Sequence, residues 1–188
     1  MSDSNVLLDG SAPATPQSII ETLTAIGIAS HTHSHAPVFT VEQAKSLRGE
    51  LPGAHIKNLF LRNKRGRMWI LTCLEDRTLD LKRFGTRLGS GRLSFASPQR
   101  LMTYLGVNPG AVTPLAVIND CGGAVDVVLD RTLMEAATIN VHPLTNSRTT
   151  ALTPAGLLVF LNAVDHPPII MDLDVDDSYT TPTPTQPN

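Results

Sequence analysis

His55-Ile56-Lys57-Asn58-Leu59-Phe60-Leu61 is an apolar run that opens with a cation and an amide. Side chains alternate across a strand, so Ile56, Asn58 and Phe60 take one face and Lys57, Leu59 and Leu61 the other. Lys57 then shares a face with two leucines. Its ammonium either snorkels out to water or stands at the mouth of a cleft. A buried, unpaired ammonium costs several kcal/mol, so a partner is expected, and an anion such as a phosphate suits it.

Downstream, Asn63-Lys64-Arg65-Gly66 has the residues of a tight turn, which makes 56–62 and 67–74 the two arms of a hairpin. Upstream, Leu51-Pro52-Gly53 is a turn, and Thr40 with Gln43 reads as the capping box of a helix over 41–48. Residues 28–39 read as a strand broken by Pro37. Thr15-Pro16 opens a helix over 16–27, with Ile19, Ile20, Leu23 and Ile26 at helical spacing and Gly27 as its stop.

Beyond the hairpin the pattern predicts a helix over 79–87, a short strand over 92–95 and a helix over 98–105 ended by Gly106. A proline-containing loop follows at 107–114. Strands are expected at 115–118 and 124–129 around Asn119–Gly123, then a short helix at 131–135 and strands near 138–141 and 149–152. Thr153-Pro154 caps a last helix over 154–164. Helices interleave with strands joined mostly by hairpins, which predicts a mixed α/β (α+β) fold with a mostly antiparallel or mixed sheet. Residues 1–14 read as a flexible tail, 15–173 as the domain, and 174–188 as a disordered acidic, Thr/Pro-rich tail.

At 188 residues the chain suits one domain with a sizeable core. Its apolar fraction of 41% and mean hydropathy of +0.02 are those of a soluble globule, and no membrane partner is expected. No secretory signal is visible at the start. Cys73 and Cys121 fit no metal or redox spacing and read as small hydrophobes in a reducing, cytoplasmic setting. The net charge of −2 conceals a segregation: ten of the 15 Lys and Arg residues fall within 57–92, where only Glu75, Asp76 and Asp80 oppose them. Such a local field suits a partner that presents a few phosphates rather than a long duplex.

Three further features carry possible chemistry. His31, His33 and His35 would share one strand face, a spacing zinc accepts, but no acid or cysteine lies nearby in sequence and no metal is expected. Gly110-Ala-Val-Thr-Pro114 lacks the phosphate-loop pattern, yet its glycine permits close backbone approach. His142, ahead of Pro143, can bind a ligand or carry a proton near neutral pH. No serine or cysteine stands in a nucleophile-elbow context, so a covalent triad has no support.

Taken in order, Val38–Glu42, Leu51–Leu61, Gly91–Phe95, Gly110–Pro114, Ala116–Asp120 and His142-Pro143-Leu-Thr-Asn146-x-x-Thr149-Thr150 resemble the YbaK/prolyl-tRNA-synthetase editing-domain superfamily. The last run resembles the free-standing branch, ProXp-ala or PrdX, that deacylates alanyl-tRNA(Pro). The resemblance covers roughly residues 16–172. It implies a small, strongly curved sheet or barrel with flanking helices, no cofactor, and the acceptor stem and 3′ aminoacyl end of tRNA(Pro) as partner. Prolyl-tRNA synthetase is a further candidate partner.

By the same resemblance Lys57 holds the 3′-terminal phosphate and Asn58 helps hold the 3′ end. The Gly110–Pro114 loop positions carbonyl or water, and His142 lines the aminoacyl pocket. Arg92 meets the acceptor stem. Ile28, Thr32, Lys45 and Val141 are candidate pocket walls. The implied logic is a double sieve, since a proline pocket rejects smaller alanine by only about 1–3 kcal/mol. Alternatives are a relative that clears Cys-, Ser- or Thr-tRNA, and a non-catalytic tRNA-binding module.

Overall fold

In the computed structural model, which describes residues 6–36 and 51–174, the hairpin of the opening stretch is the centre of the sheet. Its arms are β2 (Ala54–Asn63) and β3 (Met68–Leu74), paired antiparallel from Ile56↔Leu74 to Arg62↔Met68. Asn63 closes the turn, its Oδ1 accepting from the backbone N–H groups of Arg65 and Arg67 at 3.0 and 3.1 Å. Gly66 takes φ 87°, the left-handed conformation the turn needs.

Around this hairpin run, in chain order, α1 (Pro16–Ala25), β1 (Ser30–Ser34), α2 (Leu81–Arg87), β4 (Leu93–Phe95), α3 (Pro98–Leu105), β5 (Val125–Asp130), β6 (Ile139–Val141), β7 (Arg148–Leu152), α4 (Pro154–Ala163) and β8 (Ile169–Met171). The eight strands form one mixed sheet in the order β1-β7-β6-β2-β3-β5-β8, with β4 also on β2. β2–β6, β3–β5 and β5–β8 are parallel; the other pairs are antiparallel. The Ser/Thr-Pro dipeptides start three helices as expected, Thr15, Ser97 and Thr153 each accepting a backbone N–H into the first turn.

The alternation of β2 sorts two cores. Ile56 and Phe60 join Ile70, Val127 and Leu129 in a large cluster with α1, α3 and α4. Leu61, with Leu59 packed on it, joins Trp69, Leu71, Val128 and Phe84 of α2 on the other face. Each fully buried leucine or isoleucine stabilises by about 1.5–3 kcal/mol. Among the described residues no helix is long and apolar enough to cross a membrane.

Three expectations are corrected. Residues 115–118 are not a strand but part of a 3-10 helix, Pro114–Asn119, which Thr113 caps by accepting from Leu115 N–H; an apolar run that short is decided by its flanks, and Pro114 sits where a helix starts. β5 therefore has no hairpin mate there and lies parallel to β3 instead. The strand β8 lies after Pro167-Pro168, where no element was expected. The first tail is anchored from residue 6 on: Leu7 is buried, Leu8 N–H donates to Thr103 O, and Ala14 N–H donates to Asn119 Oδ1. The predicted helix over 41–48 lies outside the described residues.

A buried pair ties the far end of the domain together. His166 Nε2 lies 3.2 Å from Asp120 Oδ2, and Nδ1 bonds Val164 O. The hydrogen bond to Asp120 raises the His166 pKa above its ordinary 6.5. Burial pushes the Asp120 carboxyl up, but the bonds from His166 and the Ala124 and Val125 amides outweigh it and lower it below 3.8. The histidine's contribution is complete below pH 6.5 and fades as pH rises through its folded value; the aspartate's is lost as pH falls through its own. Replacing His166 with alanine is expected to cost about 2 kcal/mol. In chemical denaturation the loss should be largest between the ordinary values of 3.8 and 6.5, shrinking at higher pH as His166 deprotonates and at lower pH as Asp120 protonates.

Candidate active site

The outer edge of β2 is shared. β6 pairs with its start at Ala54↔Ile139 and His55↔Asn140, and β4 pairs with its end at Leu61↔Phe95 through Asn63↔Leu93. Between them Ile56–Leu59 has no strand neighbour on that edge among the described residues. Among the described residues this leaves a four-residue opening in the pairing of that edge.

Lys57 and Asn58 occupy this opening on opposite faces of the sheet. Asn58 Nδ2 donates to Val112 O at 2.9 Å, and its Oδ1 accepts from Thr72 Oγ1 at 2.8 Å. The amide thus pins the Gly110–Pro114 loop against the sheet. Gly110 is exposed with φ 91°, and a Cβ there would stand 3.8 Å from Asn146 Nδ2, so this loop abuts the loop that follows β6. Pro114 is buried at the start of the 3-10 helix.

On the other face, Lys57 stands two residues past His55 and His142 two residues past Asn140, the last pair of the β2–β6 ladder. Lys57 is half-buried, and its ammonium donates to the Arg77 carbonyl. Cys73 stands across from it on β3. Burial pushes that thiol up to about 11 despite the nearby Lys57, so it stays protonated and is a poor nucleophile near neutral pH.

His142 Nδ1 lies 3.1 Å from Arg148 O. A carbonyl only accepts, so Nδ1 carries the proton and Nε2 keeps its lone pair. Burial lowers the His142 pKa below 6.5; the Arg148 carbonyl opposes this and the nearby His35 reinforces it. The ring is therefore neutral at pH 7. His35 Nδ1 likewise bonds Ala36 O, and its Nε2 lies 2.9 Å from Thr149 Oγ1. Leu144 holds the turn after His142 at φ 62° with its side chain buried in the large cluster. That backbone costs a leucine about 1–2 kcal/mol, and the burial offsets it.

The family model described as "Aminoacyl-tRNA editing domain" matches residues 35–160, which hold the opening and both of its loops. The chain belongs to the aminoacyl-tRNA editing domain family. It is 39% identical over 157 residues to prolyl-tRNA synthetase associated domain-containing protein 1 of Mus musculus, covering 81% of this chain and 92% of that one. It is 38% identical over 138 residues to prolyl-tRNA editing protein ProX of Acetoanaerobium sticklandii, covering 73% and 84%. A solved structure described as a candidate trans-editing enzyme for prolyl tRNA synthetase shares the fold at TM-score 0.65 and 21% identity, over 88% of this chain and all of that one.

Within this editing domain the other expected site residues scatter. Thr32 Oγ1 bonds Thr150 Oγ1 at 2.9 Å on the large-cluster face. Val141, 1% exposed, is core rather than an accessible wall. Ile28, 8% exposed, packs against α4, where a Cβ on Gly156 would stand 3.0 Å from it. Arg92 is exposed at the opposite end of β2, lining a pocket of about 340 Å³ with Lys64 and Arg65. That end is about 20 Å along the strand from Lys57. Lys45 lies outside the described residues. The rings of His31 and His33 meet edge to face at 4.4 Å, while His35 turns to Thr149.

Sequence reasoning missed Thr72 and Arg77. Thr72 could have been found by pairing the hairpin, which sets it opposite Asn58. Asn140 is a further case: it is 7% exposed, donates from Nδ2 to Pro52 O, and leaves Oδ1 without a hydrogen bond.

Proposed function

We propose that this protein is a cytoplasmic trans-editing deacylase that hydrolyses the ester of tRNA(Pro) mischarged with alanine. The observation that carries the reading is the break in the pairing of β2, with Lys57 just past the end of the β2–β6 ladder and Asn58 fastening the glycine loop beside it. Membership of the editing family and the likeness to a protein named ProX support the substrate class.

In this reading Lys57 takes the phosphate of the 3′ end, exchanging the neutral Arg77 carbonyl for an anion. The Gly110 loop offers backbone to the ester carbonyl or the water. An aminoacyl ester is already activated, so placing a water and stabilising the oxyanion suffice. Neutral His142 presents Nε2 as an acceptor that orients the water or the α-amino group. Arg92, Lys64 and Arg65 meet the acceptor stem.

Purified protein assayed on Ala-, Cys-, Ser-, Thr- and Pro-tRNA(Pro) tests this. Preferential loss of alanine supports it, and faster release of serine, cysteine or threonine overturns the specificity. Binding without hydrolysis of any ester would identify a tRNA-binding module instead. Because burial keeps His142 neutral, the acid limb of kcat/KM is expected to fall below the ordinary histidine value of 6.5. A pH–rate profile with its inflection above that value contradicts the assignment.

A further inference from the structure

Arg77 lies outside every role given above, yet it is the residue Lys57 touches. Its carbonyl accepts from Lys57 Nζ. Its guanidinium is 11% exposed, and Nε stands 2.5 Å from Oδ2 of Asp130, whose side chain is fully buried at the end of β5. Nη1 and Nη2 take Asp174 Oδ1 and Oδ2 at 2.5 and 2.8 Å, a two-pronged pair with an exposed carboxylate. Thr132 Oγ1 donates to the same Asp130 oxygen at 2.7 Å.

This cluster is a poor device for stability alone. Among the described residues Asp130 Oδ1 has no hydrogen bond, and the Arg77 Nε contact is an ion pair without an aligned hydrogen bond. A buried pair with such incomplete bonding does no better than apolar side chains of the same volume. Its geometric effect is specific, however. The guanidinium is gripped from β5 on one side and from residue 174 on the other, which restrains Arg77 and with it the carbonyl that holds Lys57. Arg77, His55 and Asp174 also line a pocket of about 560 Å³.

We propose that Arg77 is a positioning residue, clamped between Asp130 and Asp174, that parks the Lys57 ammonium at the open edge of β2. The inference rests on the reading of Lys57 as the group that meets the substrate's 3′ end. It also brings a position beyond the matched stretch of 35–160 into the working site, since Asp174 supplies one half of the clamp.

The test follows the amine reactivity of Lys57 by peptide mass spectrometry, together with steady-state deacylation of Ala-tRNA(Pro). Arg77→Lys keeps the charge but cannot span both carboxylates. Lys57 in that variant should label about threefold faster, and KM should rise about three- to tenfold with kcat unchanged. In a Lys57→Ala background the same substitution should leave KM where Lys57→Ala alone put it. A merely structural role would instead carry its full effect into that background.

Unchanged Lys57 labelling in a folded Arg77→Lys protein, or a KM effect that persists without Lys57, overturns the proposal. Should Arg77→Lys not fold, Asp174→Asn, on an exposed carboxylate, carries both readouts, with faster labelling expected and unchanged labelling decisive against. Labelling needs no tRNA. Failure of the unmodified protein to deacylate therefore overturns the functional reading while the clamp is still judged by Lys57 reactivity.

Discussion

Lys57→Ala is expected to lower kcat/KM for alanyl-tRNA(Pro) about 10- to 100-fold, the size of one charge-assisted hydrogen bond. The side chain is half-buried and bonds a main-chain carbonyl, so its removal leaves no buried charge behind. Folding should survive, with unchanged circular dichroism and a melting temperature close to that of the unmodified protein. If the ammonium meets a phosphate, the loss falls mainly in KM, and the dependence of KM on salt flattens in the variant because one ionic contact is gone. Deacylation kinetics at two ionic strengths read both effects. Activity retained within a factor of about two removes Lys57 from the site.

Asp130→Ala carries the largest stability effect, a loss of about 3–5 kcal/mol. The carboxylate is fully buried and faces an Arg77 guanidinium with 11% of its side chain exposed, so deleting it strands a cation against the smaller core. Asp174 remains to hold Nη1 and Nη2, but it sits at the surface, where a pair contributes about 0–1 kcal/mol. Removing both charges together should cost far less: Arg77→Met combined with Asp130→Leu is expected to recover most of the loss. Urea unfolding of the single and double variants measures this, and a double variant as unstable as Asp130→Ala contradicts it.

What could be read in advance follows how local each signal is. The hairpin arms, expected at 56–62 and 67–74, are Ala54–Asn63 and Met68–Leu74, because period-2 alternation and an Asn–Gly turn are contained in adjacent residues. α3 starts at Pro98 and ends before Gly106 as expected, since cap and stop are both local. The neighbours of each strand are a different matter. The parallel partnership of β3 with β5 joins segments more than fifty residues apart, and three-residue β8 shows no alternation to find.

The site divides the same way. Lys57 was singled out by its place among leucines, and its face was assigned correctly, opposite Ile56, Asn58 and Phe60. Its contact with Arg77 could not be foreseen, because it depends on where Asp130 and Asp174 arrive from other parts of the chain. Ile28 and Val141, candidate pocket walls by resemblance, are both buried, a placement that one sequence cannot show because it depends on what packs over them.

The gap along β2 also bears on how the molecule behaves in company. A bare strand edge invites another chain to add itself in register, the route to aggregation. Among the described residues the bare stretch is Ile56–Leu59, closed off by β6 on one side and β4 on the other. Four residues span about 13 Å, wide enough for a nucleoside and its ester but shorter than the five or six residues of an ordinary strand. The two short flanking strands thus act as stops: the stretch left between them is too short for another polypeptide to add an ordinary strand.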